Sequence, residues 1–167
     1  MADKTSQILQ KIDAIDWQNV GLPKAADWFR DMLSPDKDLV LAACHDLEEE
    51  IHTGAPRPEE YPTFERLLSG RDWIVTVPVL ISLAELSQIQ SCVVQYLDDL
   101  AMIAIYHLED FPSSPNVKKC HELVSAVAKG KALYSEIAES GATYYAQSVA
   151  KQLLKDLAYY DSVTKKA

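Results

Sequence analysis

The chain is expected to fold as an all-α domain of about seven helices. Apolar residues recur at three- and four-residue steps along almost its whole length. Only one stretch is rich in β-branched residues, and it has no second strand candidate to pair with. Proline and glycine leave only short connections between the periodic segments, so no linker is long enough to divide the chain into domains.

Taken in order, Ile8, Leu9, Ile12 and Ile15 form the apolar stripe of a first helix. Pro23 sits where a first turn tolerates it, and Ala25, Trp28, Phe29, Met32 and Leu33 follow at helical spacing. Ser34-Pro35-Asp36 predicts the next start: a capping hydroxyl, a proline at the first position, then an acid favoured by the helix dipole. That helix buries Val40, Cys44, Leu47 and Ile51 and stops at Gly54. Ala55 to Pro62 reads as a proline-rich loop, and Phe64, Leu67 and Leu68 as a short helix ending at Ser69-Gly70.

Trp73 to Leu83 is the β-rich stretch. Pro78 cannot donate to a ladder, whereas Thr76 as a cap with Pro78 early in the first turn gives a helix. A long helix follows from about Ser87 to Leu108, with Ile89, Val93, Leu97, Leu100, Ala104 and His107 on one side. Pro112 to Pro115 breaks it. Cys120, Val124, Val127, Tyr134 and Ile137 continue a stripe through Gly130, where a bend is expected. Ser140-Gly141 separates a last helix carrying Tyr145, Val149, Leu153, Leu157 and Tyr160, and residues 164–167 are expected to fray.

Composition agrees with one globular unit: 167 residues, 48% hydrophobic and 25% charged. The longest uncharged stretches, Trp73 to Ala84 and Leu86 to Leu97, are 12 residues each. A membrane span needs about 20 predominantly apolar residues, so none is expected. The opening Met1-Ala2-Asp3-Lys4-Thr5 leads into a polar–apolar alternation rather than a signal peptide's apolar core. Three cysteines without paired spacing fit reduced thiols and a cytoplasmic location.

Charge is distributed unevenly. Residues 1–117 carry 20 acidic and 8 basic side chains, a balance of −12, while residues 118–167 carry 8 lysines against 5 acids. No Lys or Arg occurs from Asp72 to Val117. Such a field repels nucleic acid and anionic lipid and attracts proteins with a basic surface.

Motifs for catalysis are scarce. Glu49 and His52 have the three-residue spacing of a carboxylate-bridged di-metal helix, and His45 shares their face. A matching helix is missing, because Ala104 and Lys118 precede His107 and His121 by three residues. The trio also lies away from the Val40, Cys44, Leu47 and Ile51 stripe, so it faces solvent or a partner and no metal or other cofactor is expected. Cys44 and Cys120 fall on apolar stripes and Cys92 adjoins one, where cysteine behaves as a small hydrophobe. No Gly-x-Ser-x-Gly, phosphate loop, Cys-x-x-Cys or His-Glu-x-x-His occurs, which weighs against an enzyme. The second half of the long helix adds Met102, Ile105 and Tyr106 opposite its main stripe. It is therefore apolar nearly all round, and either central or a docking face, with the central position favoured.

Leu47, Ile51 and His52-Thr53-Gly54 close one helix, and Val77-Pro78-Val79-Leu80-Ile81 opens the next after an inserted proline-rich loop and short helix. Over residues 40–110 this resembles the HEAT-like helical-repeat proteins, several of which are immunity proteins of bacterial polymorphic toxin systems. The resemblance implies antiparallel helix pairs and a toxin-binding role. Together with the acidity, it predicts a protein-binding inhibitor that occludes a basic site. The partner surface would use Asp46, Glu49, Glu50, Glu59, Glu60, Asp98, Met102, Tyr106 and Glu109. A non-catalytic helical adaptor is the alternative, using the Met102 face or the tyrosine-rich last helix, and a small metal-dependent enzyme using His45, Glu49 and His52 comes third.

Overall fold

Asp72, not Thr76, begins the helix that follows the short connection before it. In the computed structural model, which describes residues 3–52, 67–68 and 70–165, the Asp72 carboxylate accepts hydrogen bonds from Ile74 N at 3.1 Å and Val75 N at 3.4 Å. The helix therefore starts at Trp73, and Pro78 falls inside it rather than in its first turn. Pro78 lacks the amide a helix interior normally uses, and the side chains around it bond to the backbone. Thr76 donates its hydroxyl to Trp73 O at 2.6 Å and Ser82 donates to Pro78 O at 3.1 Å.

The described residues form nine helices: α1 (Lys4–Asp13), α2 (Trp17–Val20), α3 (Ala25–Met32), α4 (Lys37–Ile51), α5 (Trp73–Leu83), α6 (Gln90–Asp110), α7 (Val117–Ala128), α8 (Lys131–Ser140) and α9 (Tyr144–Thr164). No strand occurs among them. The all-α expectation holds, with differences at the boundaries. The start of α4 lies two residues later than Ser34, because Asp36 is the residue whose carboxylate accepts from Asp38 N at 3.0 Å. Ser34 instead accepts from the amide of Asp36 at 3.1 Å, shaping the turn before the helix. The α2 turn was not foreseen, being only 4 residues long. The stripe through Gly130 is two helices rather than one bent helix. A Cβ at Gly130 would come within 2.5 Å of the Tyr134 ring, so the break leaves room for that aromatic side chain. The Tyr134 hydroxyl then donates to Val127 O at 2.8 Å, joining α8 to α7.

Helix α6 is the axis of the fold. It packs against α9, α7, α5 and α4, and 12 of its 21 residues are buried, too many for a single amphipathic stripe. Ile105 is 1% exposed and Met102 is half-buried, so of the three residues opposite the main stripe only Tyr106 stands out, at 49%. The central-helix expectation is the one the structure bears out. Its buried residues belong to one core shared by all nine helices, with Trp73, Phe29 and Tyr134 among the largest side chains in it.

One close backbone approach joins the N-terminal helices to α5. Gly21 ends α2 in the left-handed region at φ 79°, and a Cβ there would lie 1.5 Å from the Gly70 carbonyl oxygen. Only glycine fits such a position. The amide of Asp72 donates to Val20 O at 2.8 Å beside it, so the cap of α5 is placed by the end of α2. The predicted loop from Ala55 to Pro62, Phe64, and the helix stop at Gly54 lie outside the described residues.

Candidate functional site

The outer face of α4 carries the first group of predicted contacts. Ala43, Cys44, Leu47 and Ile51 point inward, which at helical period turns Asp46 and Glu49 to solvent. Across from them, Pro23 and Lys24 precede α3, and Trp28 on α3 packs partly against the core. Leu22, Pro23, Lys24, Trp28, Asp46, Glu49 and Glu50 together line a surface cavity of about 410 Å³. Glu50 is not fully available to a ligand. Its Oε1 accepts from Arg71 Nε at 2.9 Å, in a pair whose side chains are only 26% and 19% exposed. The cavity thus offers carboxylates at one wall and an indole at the other, with Lys24 as the sole cation among its described lining residues. This is suited to hold a guanidinium or ammonium group by charge and by the indole face.

The His45, Glu49 and His52 face is divided by tertiary contacts. His45 Nε2 lies 3.4 Å from Glu49 Oε1 in an exposed pair, an arrangement worth little to stability. His52 turns to α6 instead, with its Nε2 3.2 Å from Asp99 Oδ2. Asp99 also accepts from Gln95 Nε2 at 2.9 Å, and Gln95 Oε1 accepts from the Tyr145 hydroxyl at 3.4 Å. A polar chain therefore runs from α4 across α6 to α9. Among the described residues no group of three or more His, Cys, Asp and Glu side chains is placed to hold a metal ion.

Asp99 raises the pKa of His52, first by the hydrogen bond and further by its charge, with burial opposing. The bond's contribution to stability is complete below the ordinary histidine value of 6.5 and is lost as pH rises through the higher folded value. In an NMR titration His52 is expected to titrate above the ordinary histidine value of 6.5, and Asp99→Asn to bring it back to or below that value. A titration unmoved by that substitution would show that the pair does not form in solution.

Asp98 requires a correction. It was expected at the surface with the other carboxylates, yet it is 6% exposed, because α6 is covered on every side where it meets α9 and its neighbours. Its Oδ1 has no hydrogen-bond partner. Burial pushes its carboxyl up to about 8, and a hydrogen bond to Asp156 and the nearby charges of Asp156 and Asp99 act in the same direction. Asp98 is an internal residue whose burial favours the protonated form, rather than a steering charge.

The remaining predicted contacts cluster on the α6–α9 seam. Tyr106 and Glu109 are exposed and Met102 is half-buried. Tyr159 on α9 donates its hydroxyl to Glu109, which raises the tyrosine pKa. Glu59 and Glu60 lie outside the described residues. Sequence reading missed Trp28, Arg71, Asp99 and Tyr159 as members of these groups. His52 and Asp99 are separated by 47 residues and Tyr159 and Glu109 by 50, so no local pattern links them. It also missed that Cys44 and Cys92 face each other across α4 and α6, each perturbing the ionisation of the other.

No helix among the described residues is long and apolar enough to cross a membrane. Comparison with protein-family models, with curated proteins and with solved structures found no match to this chain.

Proposed function

We propose that the protein is a stoichiometric protein-binding inhibitor, the immunity partner of a bacterial toxin whose functional cleft is basic. The observation that carries this reading is the α3–α4 cavity, where Asp46, Glu49 and Glu50 stand with Trp28 around one opening. A lysine or arginine from the partner would exchange water for carboxylates and an aromatic face there. Elsewhere along the chain, the absence of any Lys or Arg from Asp72 to Val117 adds to the negative field, which accelerates encounter with a positive cleft. Tyr106 and Tyr159, exposed beside half-buried Met102, are the anchors of the second surface. The HEAT-like resemblance supports the same role.

The test is kinetic. Asp46→Lys with Glu49→Lys is expected to slow association with the toxin-like product of a neighbouring gene by roughly tenfold at low salt. Added salt is expected to slow the wild type in the same way, since screening acts over about 8 Å at physiological ionic strength. Glu50 is left unchanged because its reversal would break the Arg71 pair. An association rate indifferent to both salt and reversal would sink the electrostatic mechanism. Tyr144 and Tyr145, exposed at 83% and 58% at the start of α9, favour the adaptor as the second reading. Absence of any binding partner among neighbouring gene products would put the adaptor first.

A further inference from the structure

Two cysteines that sequence reading assigned to packing form a pair between helices. Tyr96 donates its hydroxyl to the backbone carbonyl of Cys44 at 2.6 Å, which fixes α6 against α4 at that level. Cys92 lies one turn before Tyr96, on the same side of α6. It therefore faces Cys44 across the α4–α6 interface, where each thiol perturbs the ionisation of the other. The two differ in access: Cys44 is 6% exposed, whereas Cys92 is only half-buried. A largely apolar groove of about 380 Å³, lined in part by Val40, Leu41 and Gln88, flanks the seam. Val40 and Leu41 precede Cys44 by one turn, and Gln88 precedes Cys92 by four residues.

We propose that Cys44 and Cys92 are a reversible dithiol–disulfide site, oxidised by hydroperoxides, that staples α4 to the central helix α6. Cys92 is the attacking thiol because it is the accessible one. The facing Cys44 holds the Cys92 thiol below the ordinary cysteine range, while Cys44 is pushed up by Cys92 and by burial. The Cys92 thiolate attacks one oxygen of hydrogen peroxide. An S–O bond forms, the O–O bond breaks, and the leaving hydroxide takes up the proton released from Cys92 as water. Cys44 then attacks the Cys92 sulfur as its own proton departs. The S–S bond forms, the S–O bond breaks, and hydroxide leaves with that proton as a second water. Overall two thiols and one peroxide give one disulfide and two waters, the sulfurs losing the two electrons that the peroxide oxygens gain. A dithiol reductant reverses the process by exchange.

The bridge would close a long loop, which restricts the unfolded chain. Treating the full-length protein with equimolar hydrogen peroxide is expected to remove two hydrogen masses and leave one of the three cysteines titratable. Peptide mapping is expected to link Cys44 to Cys92. The melting temperature is expected to rise by about 5 °C or more and to return with dithiothreitol. In Cys44→Ser, a dimedone adduct is expected at Cys92 and not at Cys120, which is fully buried. Because the map and the mass are read on the wild type, they hold even if Cys44→Ser folds poorly. Oxygen addition without a link, a bridge between two chains, or preferential oxidation of Cys120 would each overturn the proposal.

Discussion

Leu97→Ala and Leu100→Ala are each expected to lower the free energy of unfolding by about 2 to 5 kcal/mol. Both side chains are fully buried on α6, the helix covered by α4, α5, α7 and α9. Close-packed surroundings cannot collapse onto the space left by truncation, so the loss includes a cavity as well as the transfer of the removed atoms. Met102 is the internal comparison. It is half-buried, so Met102→Ala is expected to cost roughly 1 kcal/mol. Urea unfolding of the three variants, checked for a common slope, measures this directly. Equal small losses at all three positions would mean that α6 is not the centre of the core. A loss of association with little loss of stability in Met102→Ala would place that residue at an interface.

Stability is expected to fall as pH rises from about 4 to about 8, and Asp98→Asn to remove much of that fall. The ordinary value for the Asp98 carboxyl is 3.8, and in the folded protein it stands at about 8. Between these limits the folded state holds a proton that the unfolded state has lost. The slope is therefore negative, at up to about 1.4 kcal/mol per pH unit. Asp98 and Asp156 titrate as a pair, which spreads the change over a wider range. Asparagine keeps the size and the polar contact of the protonated acid without a charge to bury. The variant is thus expected to gain on wild type at pH 8 by on the order of 2 to 4 kcal/mol, and by little at pH 4. Unfolding curves at several pH values check it. His52 contributes a fall of the same sign above its ordinary value, so His52→Gln, which keeps the Asp99 charge beside Asp98, provides the control that separates the two. A wild-type stability level across this range, or an equal slope in Asp98→Asn, would show that Asp98 is ionised in the folded protein.

The helical class and the position of most elements are legible in the amino-acid order, because helical period and breakers are local. Pro78 excluded a central strand over 73–83 from its chemistry alone, and α6 was recognisable because its second half is apolar on both sides. The inward faces of α4 and α9 followed from spacing in the same way, except at Tyr145, which was expected on the apolar stripe of α9 and is exposed. Cap identity was less legible. Asp36 and Asp72 were each close to a competing serine or threonine, and only the backbone path decides which oxygen reaches the first free amides.

The candidate site was legible only in part. Asp46, Glu49, Tyr106 and Glu109 are exposed as their helical positions implied. Asp98 is not, because a carboxylate next to an apolar stripe turns inward or outward according to what covers the helix, here α9. The tertiary structure alone joined Trp28 to the α4 carboxylates, His52 to Asp99, Glu50 to Arg71 and Cys44 to Cys92. The physical reason is the range of the interactions. Period and capping act within a few residues of the chain, whereas ion pairs, thiol contacts and burial depend on which helix faces which. That choice is made by the packing of the whole core.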